Sequence, residues 1–119
     1  MTEIPPAGKT TIAIDVLITI ASLTTLSVPG VSRFSQTHSP RVKDIFRRTQ
    51  MFDGVLIDIE EDTVYVDLYV IMKHDVNIRD VCKNIQRDVA RAISEMVGMQ
   101  VGRINIHVED IDYPLLQEV

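Results

Sequence analysis

The sequence predicts an α+β fold, a small single domain whose mixed sheet has one helix-covered face. Three observations predict it. Residues 55–73 alternate apolar and polar side chains on either side of a break at Glu61-Asp62. Residues 78–96 carry apolar side chains at spacings of three and four, and Arg103 to Glu109 alternates again. Two antiparallel strands, a long helix and a returning strand are the direct reading.

Taken in order, Met1 to Ala7 with Pro5-Pro6 reads as a disordered lead-in, because proline opens neither a helix interior nor a central strand. Thr11 to Ala21 has two readings. Strict alternation puts Ile12, Ile14, Val16, Ile18 and Ile20 on one side, as in a strand, while Ile14, Leu17, Ile18 and Ala21 form a helical stripe. The Ile and Thr content favours strand. Asp15 as an N-cap allows a helix from about Val16 to Leu26. Phe34 to Pro40 is polar and ends at proline, so it reads as loop, and Val42, Ile45 and Phe46 give a short helix within Arg41 to Thr49. In the hairpin, placing the apolar sets on one face sets Ile59 opposite Val64, Asp58 opposite Tyr65 and Leu56 opposite Asp67. The long helix opens at Asn77 as N-cap and closes at Gly98, with Ile78, Val81, Cys82, Ile85, Val89, Ala92, Ile93 and Met96 as its core stripe. A strand–helix–strand order predicts that the last strand, with Ile104, Ile106 and Val108 inward, lies parallel to the strand before the helix.

The chain has 119 residues, enough for one core without a disulfide or structural metal, and a net charge of −5 disfavours general affinity for nucleic acid or anionic lipid. A single cysteine fits a reducing compartment. Charge is uneven. Residues 33–50 hold five bases against one acid, a net +4, which leaves −9 for the rest. Val16 to Ser32 is uncharged, but Thr, Ser, Pro and Gly make up nearly half of it, and Pro29-Gly30 closes it below the roughly 20 apolar residues a span requires. Glu3, Pro5 and Pro6 stand where a signal peptide is basic. Direct membrane contact is therefore not expected.

No catalytic constellation is legible. Gly8-Lys9-Thr10 lacks the first glycine of a phosphate loop, since position 3 is Glu. His38, His74 and His107 include no i, i+4 pair, and Cys82 sits in an apolar stripe where burial suppresses the thiolate, so neither a metal nor another cofactor is expected. Glu60, Glu61 and Asp62 crowd a hairpin tip open to water.

Two surfaces carry functional hypotheses. The helix-free sheet face presents Tyr65, Asp67, Tyr69, Ile71, Arg103, Asn105 and His107, the tyrosine and arginine mixture of a protein-interaction patch. The competing reading, in which the basic helix or the N-terminal element covers this face, stays open. The long helix carries Arg79, Lys83, Arg87 and Arg91 at successive i, i+4 positions, a row for an anionic partner such as RNA. The favoured account of the row is local: Asp75, Asp80 and Asp88 stand three or four residues before Arg79, Lys83 and Arg91 and neutralise them. A secondary basic patch comprises Arg41, Lys43, Arg47 and Arg48.

Three stretches make the chain resemble a known family. They are Gly8-Lys9 through Ile20-Ala21 to Pro29-Gly30-Val31; Gly54-Val55 through Tyr69-Val70-Ile71; and Val76-Asn77-Ile78 through Ile85-Gln86 and Met96-Val97-Gly98 to Val101–Val108. Together they resemble the alkaline-shock proteins of the bacterial envelope stress response. The resemblance implies a helix for the N-terminal run, hence an N-terminal helix, hairpin, long helix and final strand in one domain over 8–109. Residues 33–50 are then a basic loop or short-helix insert, and 110–119 an acidic tail. It further implies no known catalytic activity and an oligomerising scaffold or adaptor at the cytoplasmic side of the membrane, held there by a membrane-embedded protein partner, with some members linked to lipid metabolism. Two departures stand out: Asp75 where the family commonly has glycine, and the unmatched basic insert.

Overall fold

The strand at Thr63–Lys73 organises the molecule. Its inward residues Val64, Val66, Leu68, Val70 and Met72 are all fully buried. Around it the computed structural model describes residues 7–36, 49–52 and 54–114, the stretch 49–52 by its backbone alone. The described elements are α1 (Ile14–Ser27), β1 (Val31–Phe34), β2 (Thr49–Phe52), β3 (Val55–Glu60), β4 (Thr63–Lys73), α2 (Ile78–Val97) and β5 (Gln100–Asp112).

The hairpin has the register the alternation predicts, with Ile59 opposite Val64, Asp58 opposite Tyr65 and Leu56 opposite Asp67. β5 lies parallel to β4 on its other flank, so the sheet is mixed. Two short strands were not expected. β2 pairs antiparallel with β3 and forms the far edge. β1 pairs with Val70–Met72, beyond the end of β3, so that β1 and β3 lie end to end along one flank of β4. Gly54 marks the junction: Tyr69 N–H donates to Gly54 O and Ser35 N–H to Tyr69 O, each at 2.8 Å. At φ +85°, with Tyr69 O 2.8 Å from where a Cβ would stand, only glycine fits there.

Both helices cover the same face, and their inward residues Leu17, Ile18 and Ala21, and Val81, Ile85, Val89 and Ile93, join β3 and β4 in one core cluster. α2 begins and ends as its sequence predicts: Asn77 Oδ1 accepts from Asp80 N–H at 3.1 Å, and Gly98 takes a left-handed φ of +77°. Met96, expected in the core stripe, is instead 71% exposed, because the stripe ends with Ile93 one turn before the cap. The N-terminal run is helix, with Asp15 in its first turn and Ala13, not Asp15, at the N-cap. Its double pattern has a physical cause. Leu17, Ile18, Ile20 and Ala21 are buried, while Val16, Leu23 and Leu26 on the outer side are also apolar yet exposed.

Other expectations need adjustment. The short helix over Arg41–Thr49 lies outside the described residues except for Thr49, which opens β2; the lead-in lies outside them except for Ala7. Phe34, read as loop, ends β1. β5 continues to Asp112, so the first acids of the tail belong to the sheet.

Asp75 occupies the turn between β4 and α2 at φ +60°, the left-handed conformation that glycine adopts without strain. That conformation costs a non-glycine residue roughly 1–2 kcal/mol, and its 3.5 Å contact with His74 is too exposed to offset this. Asp75→Gly is therefore expected to raise stability by about 1 kcal/mol after the entropy of the unfolded glycine is counted. Urea denaturation checks this; a decrease contradicts the account of the turn.

Candidate functional site

On the face away from the helices, the β4–β5 register sets Tyr65 beside Arg103, Asp67 beside Asn105 and Tyr69 beside His107. The sheet thus brings together six of the seven residues predicted for an interaction face, and α1 does not cover them, since it packs with α2 in the core on the other side. Ile71 is the exception. It shares their parity, but at 6% exposed it offers no contact surface.

Asp67 ties the row together. Its Oδ1 accepts from Asn105 Nδ2 at 3.1 Å and lies 2.9 Å from His107 Nε2, which donates when that nitrogen carries the proton. The His107 ring stacks on Tyr69 with centroids 4.5 Å apart and planes 13° from parallel. At the other end the Arg103 guanidinium lies 5.2 Å from the centre of the Tyr65 ring, within cation–π range. The Tyr65 ring runs across Gly102, where any side chain would collide with it. Gly102 is thus a positioning residue that the sequence reading missed; its signal was a glycine inside a strand pattern, which marks a close approach. The result is a half-exposed strip of two ring contacts, Tyr69 with His107 and Tyr65 with Arg103, set side by side by strand pairing, with the Asp67 carboxylate holding the His107 end.

The basic row is placed as predicted, with Arg79, Lys83, Arg87 and Arg91 all exposed on α2. Its predicted neutralisation does not form. Asp88 pairs with Arg87 at 3.0 Å and Asp75 with His74, so among the described residues Arg79, Lys83 and Arg91 have no ion pair. Arg41, Lys43, Arg47 and Arg48 lie outside the described residues. Cys82 is half-buried, and burial raises its thiol pKa as its place in the stripe predicts.

Two further features were missed. Val16, Leu23 and Leu26 form an exposed apolar stripe on the outer side of α1, and Ile12 just before the helix is exposed as well. An open groove of about 440 Å³ between Lys73, His74, Ile78, Ile111 and Tyr113 lies at the start of α2, away from the Asp67 row. Among the described residues no group of three or more His, Cys, Asp or Glu side chains is arranged to hold a metal, and no helix is long and apolar enough to cross a membrane.

Removing the shared acceptor should loosen the His107 end of the strip. Asp67→Ala is expected to cost about 1 kcal/mol in urea denaturation, the worth of a partly exposed hydrogen-bonded pair, and to shift the ring resonances of Tyr69 and His107. Unchanged resonances would show that Asp67 orients neither ring.

Comparison with known proteins places this geometry among relatives. Residues 4–113 match the profile of the alkaline-shock protein 23 family, described as having a cell envelope-related function. The uncharacterized protein Spy1535 of Streptococcus pyogenes is 33% identical over 105 residues, covering 87% of this chain and 79% of that protein. The uncharacterized protein YqhY of Bacillus subtilis is 26% identical over 106 residues, covering 89% and 78%. Among solved structures, two variants of MamM CTD superpose with TM-scores of 0.50 and 0.51 at 11% and 10% identity, covering 82–83% of this chain and 96% of theirs. At that identity the likeness concerns the fold alone.

Proposed function

This chain belongs to the alkaline-shock protein 23 family, with its cell envelope-related function, and from that premise we propose that it is a non-enzymatic scaffold or adaptor. In this reading it self-associates, and it docks a separate protein partner through the sheet face opposite α1 and α2. It works at the cytoplasmic side of the membrane, held there by a membrane-embedded partner. The observation that carries the reading is the ordered strip of Tyr65, Tyr69, Arg103 and His107 around Asp67. Rings already packed against a neighbour lose less entropy on binding than free ones, so their area converts to affinity more efficiently. Asp67 serves to hold its neighbours Asn105 and His107.

A second reading, a small RNA-binding module using Arg79, Lys83, Arg87 and Arg91, is favoured by one observation: three of these four bases have no ion pair among the described residues. The net charge of −5 opposes it.

Two measurements separate the readings. Cross-linking and mass spectrometry from intact bacterial cells should recover an envelope protein with the natural chain and at least ten-fold less of it with Tyr65→Ser/Tyr69→Lys, since losing two aromatic anchors removes about 2 kcal/mol or more. Equal recovery would refute the docking role. RNA affinity that falls steeply with salt and vanishes on reversing the four bases would promote the second reading.

A further inference from the structure

β5 has one flank paired to β4 along its length; among the described residues no strand lies on the other. A free edge of thirteen residues is a template for another strand unless something blunts it. Among the described residues a side chain reaches it at one point, where Gln86 Nε2 donates to Ile104 O at 3.0 Å.

The pattern along this edge is symmetric. The β5 residues that lie opposite the buried row of β4 are Val101, Ile104, Ile106, Val108 and Ile111. Register irregularities beside Gly102 and Glu109 shift the spacing so that these five fall at two and five residues on either side of Ile106. Their partners on β4 are fully buried, yet apart from Ile104 these β5 residues are only half-buried. Charge has the opposite symmetry. Arg103 and Glu109 are equally distant from Ile106 and carry opposite signs. On the Arg103 side, Gln86 and Ala90 of α2 line a groove against Val101–Ile104 and place Arg87 and Arg91 next to them in sequence, while Glu109 and Asp110 make the other end acidic.

We propose that the free edge of β5 pairs antiparallel with β5 of a second copy about a two-fold axis at Ile106, joining two sheets into one continuous sheet. In that register Ile106 faces its own counterpart, Ile104 faces Val108, Val101 faces Ile111, and each Arg103 meets Glu109 of the second copy. A slip of one residue sets the apolar row of one copy against the polar row of the other. A slip of two sets Arg103 against His107 or Ile111 and leaves both charges unmatched. Antiparallel pairing also lays the acidic end of each copy along the basic end of the other, and a symmetric contact of this kind closes as a dimer. The inference rests on the self-association in the proposed function and names its surface, leaving the Asp67 strip free for a different partner.

Light scattering of the full chain during gel filtration tests it. The natural chain should elute with a mass of at least twice 13.4 kDa. Glu109→Arg alone and Arg103→Glu alone should each weaken the assembly at least ten-fold. Mixing the two single variants should restore it, because in the mixed pair both contacts again join opposite charges. In a Cys82→Ala background, Ile106→Cys should give a covalent dimer on mild oxidation, since directly opposed residues on antiparallel strands stand about 4.5–5.5 Å apart, within disulfide reach. An oligomer that ignores both charge reversals and gives no cross-link at position 106 would overturn the edge pairing while leaving self-association intact. A 13.4 kDa monomer at every concentration would overturn both.

Discussion

One constraint underlies the rest: among the described residues, both helices lie on the same side of the sheet. β4 alternates without a break, and its inward set from Val64 to Met72 is fully buried beneath α1 and α2. Because side chains on a strand alternate in direction, burying that set commits Tyr65, Asp67 and Tyr69 to the other face. β5 inherits the same division through its parallel register with β4. The outward strip is therefore a geometric consequence of the core. Its contacts around Asp67 follow from which side chains the register makes neighbours.

The parts of the fold set by local chemistry were readable in the residues. The hairpin register follows from alternation, and α2 announces itself through Asn77, Gly98 and a stripe with few polar interruptions. The parts set by distant contacts were not. β1 is four residues long with Arg33 inside it, and it becomes a strand because the end of β4 past Leu68 leaves a flank open. α1 could not be told from a strand because it is apolar on both sides, so neither period dominates. Asp75 departs from the residue that its backbone favours, and its +60° φ shows that the turn keeps glycine geometry without the glycine.

The candidate site was legible to a similar depth. Parity named six of its members, but parity does not distinguish a surface position from a covered one, which is why Ile71 was included. Nor does spacing decide ion pairs on an exposed helix. Asp88 stands three residues before Arg91 yet pairs with Arg87, because flexible side chains in water choose among neighbours at little cost. The contribution of Gly102 is invisible until the Tyr65 ring is seen to lie over it.

A protein built in this way presents separate surfaces with separate chemistry: an aromatic and charged strip on the face opposite the helices, a strand edge that no described strand covers beside it, and a basic helix row behind. The central claim is that the open face is the working surface. Site-specific photo-cross-linking in living bacterial cells tests this most directly, with a photoreactive phenylalanine analogue placed at Tyr69, at Leu23 on the outer side of α1, or at Arg91. The account predicts a discrete protein adduct from position 69 and none of comparable yield from the other two. Adducts confined to position 23 or 91, with position 69 silent, would contradict it.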